Sequence, residues 1–221
     1  PALPSDIQWH FIGHLQSNKC KKLVAGVPNL SVVESVDSTK LATTLDKAVQ
    51  AAGRGEDAPL DVFVQANTSE EAQKSGAAMD DVPALVAHVR SSCPHLRFVG
   101  LMTIGKLGDV SPLYFERLVQ LRARVCEEHG LKPEEVELSM GMSGDFELAI
   151  EMGSTNVRVG SSIFGARDKS VVAAAKAREA ESGAGEGGDE DGKAAKGDAG
   201  GAGGAGSGPS DAAAGAAAGE K

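Results

Sequence analysis

Strand signals alternating with helical ones predict an α/β protein built from βαβ units on a parallel sheet. Two observations carry this. Short apolar runs such as Leu30–Val36 and Pro59–Ala66 recur between stretches of helical period. In addition, Gly141-Met142-Ser143 and Gly160-Ser161-Ser162 follow consecutive strands, so both turns open at one end of the sheet. A doubly wound open sheet satisfies this pattern. An eight-stranded barrel would need two strands more than the six in this chain. No Gly-x-Gly-x-x-Gly follows the first strand, which weighs against dinucleotide binding.

Taken in order, Ile7–Ile12 is the first strand, and Gly13 turns it into a helix over His14–Val24 that stops before Gly26 and Pro28. Leu30–Val36 is the second strand. Asp37 or Ser38 caps the next helix, whose Leu41, Leu45 and Val49 share one face. After the polar loop Gly53–Pro59 comes the third strand, Pro59–Ala66. Asp80 or Asp81 with Pro83 opens a helix through Leu85, Val86 and Val89, since proline suits the first helical turn. Leu96–Ile104 is the fourth strand. Ser111-Pro112 starts a helix with Tyr114, Leu118, Leu121 and Val125 in register, closed by Gly130.

Val136–Met140 and Val157–Val159 complete the strands. Between them Gly141 permits a sharp turn, and Ser143 is placed to cap a helix over Asp145–Ile150. Phe146, Ala149 and Ile150 are expected on its inner face, with Gly153 as its stop. The two Gly/Ser turns offer bare backbone N–H groups and a hydroxyl, which is what a phosphate needs. Ordinary turn chemistry places the same residue types there.

From about Val171 the chain is Ala, Gly, Ser and scattered charge, with no large aliphatic or aromatic residue after Val172. Such a stretch cannot bury enough apolar area to offset its chain entropy. The expected organisation is one core domain over 1–170 and a low-complexity, disordered tail over 171–221, helical at most over Val171–Glu181. The net charge of −9 gives no support to nucleic-acid binding, and Lys19-Cys20-Lys21-Lys22 reads as a solvated helix face. Cys20, Cys93 and Cys126 lack metal-ligand spacing and suit a reducing compartment, here the cytoplasm. No transmembrane run or signal peptide is visible, so no membrane partner is expected.

Trp9-His10-Phe11-Ile12-Gly13-His14-Leu15-Gln16-Ser17-Asn18-Lys19 resembles the opening segment of the pyridoxal phosphate homeostasis proteins, the PROSC-like or YggS-like family. Ser35-Val36-Asp37-Ser38, Gln65-Ala66-Asn67-Thr68, Lys74-Ser75-Gly76 and Gly100-Leu101-Met102-Thr103-Ile104-Gly105 match later family segments in the same order, and Leu138 through Gly165 is similar almost residue for residue. The resemblance covers about 7–168. It implies a TIM-type (β/α)8 barrel of the alanine racemase N-terminal type, binding pyridoxal 5′-phosphate as a single domain. It also implies that two βα units precede the Trp9 strand in the family. One of these holds the lysine that forms the Schiff base with the cofactor. That lysine is absent here, so the chain is expected to be N-terminally truncated.

By the same resemblance, Ser143, Gly160 and Ser161 match the phosphate-binding positions, and Arg158 faces the ring nitrogen. An arginine there donates and cannot accept, which keeps that nitrogen unprotonated. Met142 and Ile12 line the ring faces. The function implied is to hold the cofactor and hand it to apo-enzymes without catalysis, as a monomer. The alternatives are an amino-acid racemase and a shortened chain that no longer holds the cofactor covalently. A racemase needs an opposing acid–base group, and the single tyrosine, Tyr114, falls on an apolar helix face. His10 and His14 lack the helical setting that i, i+4 ligands need, and packing or loop hydrogen bonding suits them better. Asn18 and Asn67 suit turns, and Lys74 and Lys106 suit solvated loops.

Overall fold

A computed structural model describes residues 3–54, 57–71, 75–106, 108–109 and 111–166. Six strands, β1 (Trp9–Phe11), β2 (Leu30–Val36), β3 (Leu60–Gln65), β4 (Leu96–Met102), β5 (Glu137–Met142) and β6 (Asn156–Arg158), form one sheet in the order of the sequence. Every neighbouring pair is parallel. The connections carry α1 (Cys20–Gly26), α2 (Thr39–Ala51), α3 (Val82–Ser92), α4 (Leu113–His129) and α5 (Phe146–Glu151), and α6 (Ser161–Phe164) follows β6.

A doubly wound sheet reverses strand order at a switch point. The order here never reverses, and α1 to α4 pack side by side in sequence. The result is a parallel half-barrel with helices along one face.

The main core lies between that face and the helices. Val33, Val62, Val64 and Leu101 of the sheet meet Leu45, Val86, Val89 and Leu118 of the helices there. Val32, Phe63 and Met102 form a separate small cluster made of strand residues alone, with Val99 against it. These therefore occupy the concave face. Strands buried on both faces read as near-continuous apolar runs, which is why β2 and β3 were legible.

Most expected elements hold, with shifts of one to three residues. The helix expected over His14–Val24 is instead a 3₁₀ turn at Ser17–Lys19 followed by α1. Ser17 and Asn18 favour local turn bonding over an α-helical first turn. Of the two cap candidates before α2, Ser38 holds the position, its hydroxyl accepting from the Leu41 N–H at 3.3 Å.

A larger correction concerns α5. Ser143 does not cap it. The chain makes a tight turn, Asp145 N–H to Met142 carbonyl at 3.0 Å, and the helix begins only at Phe146, with Asp145 at the cap position. The inner face also differs from the expected one, because α5 docks through Leu148, Ala149 and Met152. Ala149 is fully buried and Leu148 and Met152 pack on the core, while Ile150 is 53% exposed. Gly141 has φ +96°, and a Cβ there would lie 2.6 Å from the Ala149 Cβ. Glycine therefore lets α5 close onto the end of β5. The expected tail over 171–221, its helical start, the boundary at 170 and Lys74 lie outside the described residues.

Candidate functional site

The C-terminal ends of β5 and β6 lie side by side, with Met142 and Arg158 as ladder partners. Each strand runs into a turn. The Ser143 hydroxyl after β5 accepts the Gly160 N–H at 3.1 Å and the Ser162 N–H at 3.3 Å from the turn after β6. Two backbone donors thus converge on one oxygen. Ser161 stands exposed between them. The Met142 N–H is directed to the Asp145 carboxylate at 2.6 Å, so this acid fixes the first turn.

Arg158 is half-buried at the end of β6. Its Nη1 donates to the Ser139 hydroxyl and its Nη2 to the Thr103 carbonyl, both at 2.8 Å. Burial pulls the guanidinium below its ordinary pKa range, and the Glu34 and Asp145 carboxylates oppose that shift. A cleft of about 330 Å³ is lined by His10, Ile12, Glu34, Arg158 and Gly160, among others. Ser143 lines the neighbouring cleft of about 400 Å³ with Asp145 and Phe146.

Of the expected site residues, Ile12, Arg158 and Gly160 line one cleft, and Ser143 joins it through Gly160. Ile12 is 51% exposed, while Met142 sits beside Arg158 without lining that cleft.

Sequence reasoning missed the group beneath Arg158. Glu34 is 1% exposed on β2. Its carboxylate takes the His10 Nδ1 at 2.8 Å, the Asn156 amide at 3.4 Å and the Ser139 hydroxyl. The available signal was an acid inside the otherwise apolar or small-residue run Leu30–Val36. His10 is thereby placed in the site.

The other histidines face elsewhere: His14 lies 4.0 Å from the Asp37 carboxylate, His88 bonds Thr43, His95 bonds Asp46, and His129 bonds the Pro83 carbonyl. Asn67 has a turn role, bonding the Glu71 carbonyl and the Ser69 hydroxyl. Among the described residues, no three His, Cys, Asp or Glu side chains gather to hold a metal. Nor is any described helix long and apolar enough to cross a membrane.

Comparisons with known proteins agree with this architecture. The model of the alanine racemase N-terminal domain matches residues 8–168. The mouse pyridoxal phosphate homeostasis protein is 54% identical over 169 residues, which are 75% of this chain and 61% of that protein. The Caenorhabditis elegans protein of the same name is 44% identical over 167 residues, 74% of this chain and 68% of its own. The chain thus spans about three fifths of the mouse protein's length. Among solved structures, PipY of Synechococcus elongatus with PLP bound superposes with a TM-score of 0.59 at 32% identity, covering 74% of this chain and 72% of PipY. On sequence and fold together, the chain belongs to the alanine racemase N-terminal domain family and, within it, to the pyridoxal phosphate homeostasis proteins.

Proposed function

We propose that this chain binds pyridoxal 5′-phosphate, holds it and releases it to apo-enzymes, without turning over amino acids itself. The observation that carries the reading is the convergence of the Gly160 and Ser162 N–H groups on one oxygen. That oxygen, the Ser143 hydroxyl, occupies a position suited to a phosphate oxygen, and the donors there are the kind phosphate requires. PipY, at 32% identity, has a structure with PLP bound, and the mouse relative is named for pyridoxal phosphate homeostasis.

The residues present fit the group. The turn after β6 takes the phosphate through backbone N–H groups, with Ser143 and Ser161 adding hydroxyls. Arg158 lies in the adjoining cleft, where its guanidinium would face the ring nitrogen, with Ile12 lining the same cleft and Met142 of β5 beside Arg158. When bound, the cofactor supplies a reactive aldehyde and a pyridine ring that draws electrons when protonated. Arg158 can only donate, so it would hold that nitrogen unprotonated, which suits storage better than catalysis. Tyr114 is buried on α4 with its hydroxyl donated to Asp109 at 2.8 Å, which occupies the one tyrosine.

β1 and β6 stand at the two edges of the sheet. In the full barrel two further βα units would close that gap, giving a single domain to about residue 170 that works as a cytoplasmic monomer. The test is a titration of the chain with pyridoxal 5′-phosphate followed by absorbance. Saturable binding that is weakened in Ser143→Ala and Arg158→Ala supports the reading, and equal binding by all three chains sinks it.

A further inference from the structure

Resting on the reading that the cofactor's ring nitrogen would face Arg158, we propose that Glu34 is the counter-ion and positioning group of the Arg158 guanidinium, acting through the Ser139 hydroxyl. The hydrogen-bond directions leave little freedom. A serine hydroxyl has one proton and two acceptor positions. Arg158 Nη1 can only donate, so Ser139 accepts from it at 2.8 Å and spends its own proton on Glu34. The relay therefore runs one way, Arg158 to Ser139 to Glu34. Nη2 is anchored separately on the Thr103 carbonyl at 2.8 Å. The guanidinium is thus fixed at two points, on β5 and just beyond β4.

Glu34 reaches across the concave face to do this. It lies 105 residues from Ser139 and 122 from Asn156 in the chain. From β2 it bonds β1 through His10, β5 through Ser139 and β6 through Asn156. Asp145 is the other carboxylate acting on Arg158. Stability alone does not account for such a group. Replacing buried charged groups by well-packed apolar residues of similar volume is often neutral or stabilising. A cation that must stay charged and aimed in a cleft does need a buried counter-charge, and Glu34 supplies it.

The test compares the full chain with Glu34→Gln and Ser139→Ala. Glutamine keeps the shape and an acceptor for Ser139 but removes the charge. Three quantities are read: hydrogen exchange of the Arg158 guanidinium by NMR without ligand, affinity for pyridoxal 5′-phosphate, and affinity for inorganic phosphate. Expected is guanidinium exchange about tenfold faster in Ser139→Ala and also faster in Glu34→Gln, with pyridoxal phosphate about tenfold weaker in both, the loss of one charge-assisted bond. Inorganic phosphate affinity stays within twofold, because the turn that takes it is untouched. A fold defect would weaken both ligands alike. Wild-type exchange and affinity in both variants overturn the inference, and if Glu34→Gln does not fold, Ser139→Ala carries the test. Should the unsubstituted chain fail to bind pyridoxal phosphate while guanidinium exchange still responds, the ligand reading falls and the positioning role of Glu34 stands.

Discussion

The Ser143 hydroxyl and the Gly160 N–H lie 3.1 Å apart, joining the turns after two adjacent parallel strands. A side chain that local rules place as a helix cap serves instead as the oxygen on which a neighbouring turn closes. Ser143→Ala should therefore leave α5 intact, because the Ser143 side chain makes no bond to the helix and the turn before it is held by the Asp145 carboxylate on the Met142 N–H. The expected stability loss is below about 1 kcal/mol, the net worth of a partly exposed hydrogen bond. Affinity for inorganic phosphate should drop several-fold. Urea denaturation and a phosphate titration check the two halves.

Gly141→Ala should act in the opposite proportion. The new Cβ meets the Ala149 Cβ at 2.6 Å and the Phe146 Cα at 3.1 Å, at a backbone φ of +96°. Strain and overpacking together should cost about 2–4 kcal/mol of unfolding free energy, read from urea denaturation. Because α5 and its turn must shift, phosphate affinity should fall as well. A variant with wild-type stability would mean that α5 is not packed as described.

Much of this architecture was legible in advance, and the reason is local. β2 was bounded to the residue because Leu30–Val36 is apolar or small at nearly every position and is flanked by turn residues. α4 was legible because Tyr114, Leu118, Leu121 and Val125 repeat at helical spacing and are all buried. What was not legible depends on contacts between distant segments. Nothing near Glu34 announces a bond to Ser139, 105 residues away. Ser143 was misread because a serine after a strand suits a cap and a loop contact equally well, and only the placement of β6 decides between them. Ile150 turns outward because α5 docks on the core through Leu148, Ala149 and Met152, and helical spacing alone does not fix that docking angle.

At the other end of the sheet, Asp46 of α2 accepts the His95 N–H at 2.8 Å, just before β4 begins. Both residues are buried. Asp46→Ala should cost about 1–3 kcal/mol, the penalty for a buried donor left unsatisfied. Phosphate and pyridoxal phosphate affinities measured below the melting temperature should not change, since the site lies at the opposite strand ends.

Cys93 is 1% exposed, and burial with the neighbouring Asp46 pushes its thiol up to about 11. The folded protein holds this proton more tightly than the unfolded chain, whose thiol titrates near 9.0. Its contribution to stability is therefore complete below pH 9.0 and lost as pH rises to about 11. Thermal melts should fall across that window, and Cys93→Ala should flatten the slope. At pH 8 the native thiol should resist iodoacetamide and react once unfolded.

The β5–β6 phosphate site is tested most directly by equilibrium binding of pyridoxal 5′-phosphate to the chain, its Arg158→Ala variant and its Ser143→Ala variant, with inorganic phosphate as competitor. Saturable binding that phosphate displaces, reduced about tenfold or more by Arg158→Ala and several-fold by Ser143→Ala, is the predicted result. Binding that survives both substitutions unchanged, or that phosphate does not displace, would contradict the assignment of the β5–β6 turns as the cofactor's phosphate site.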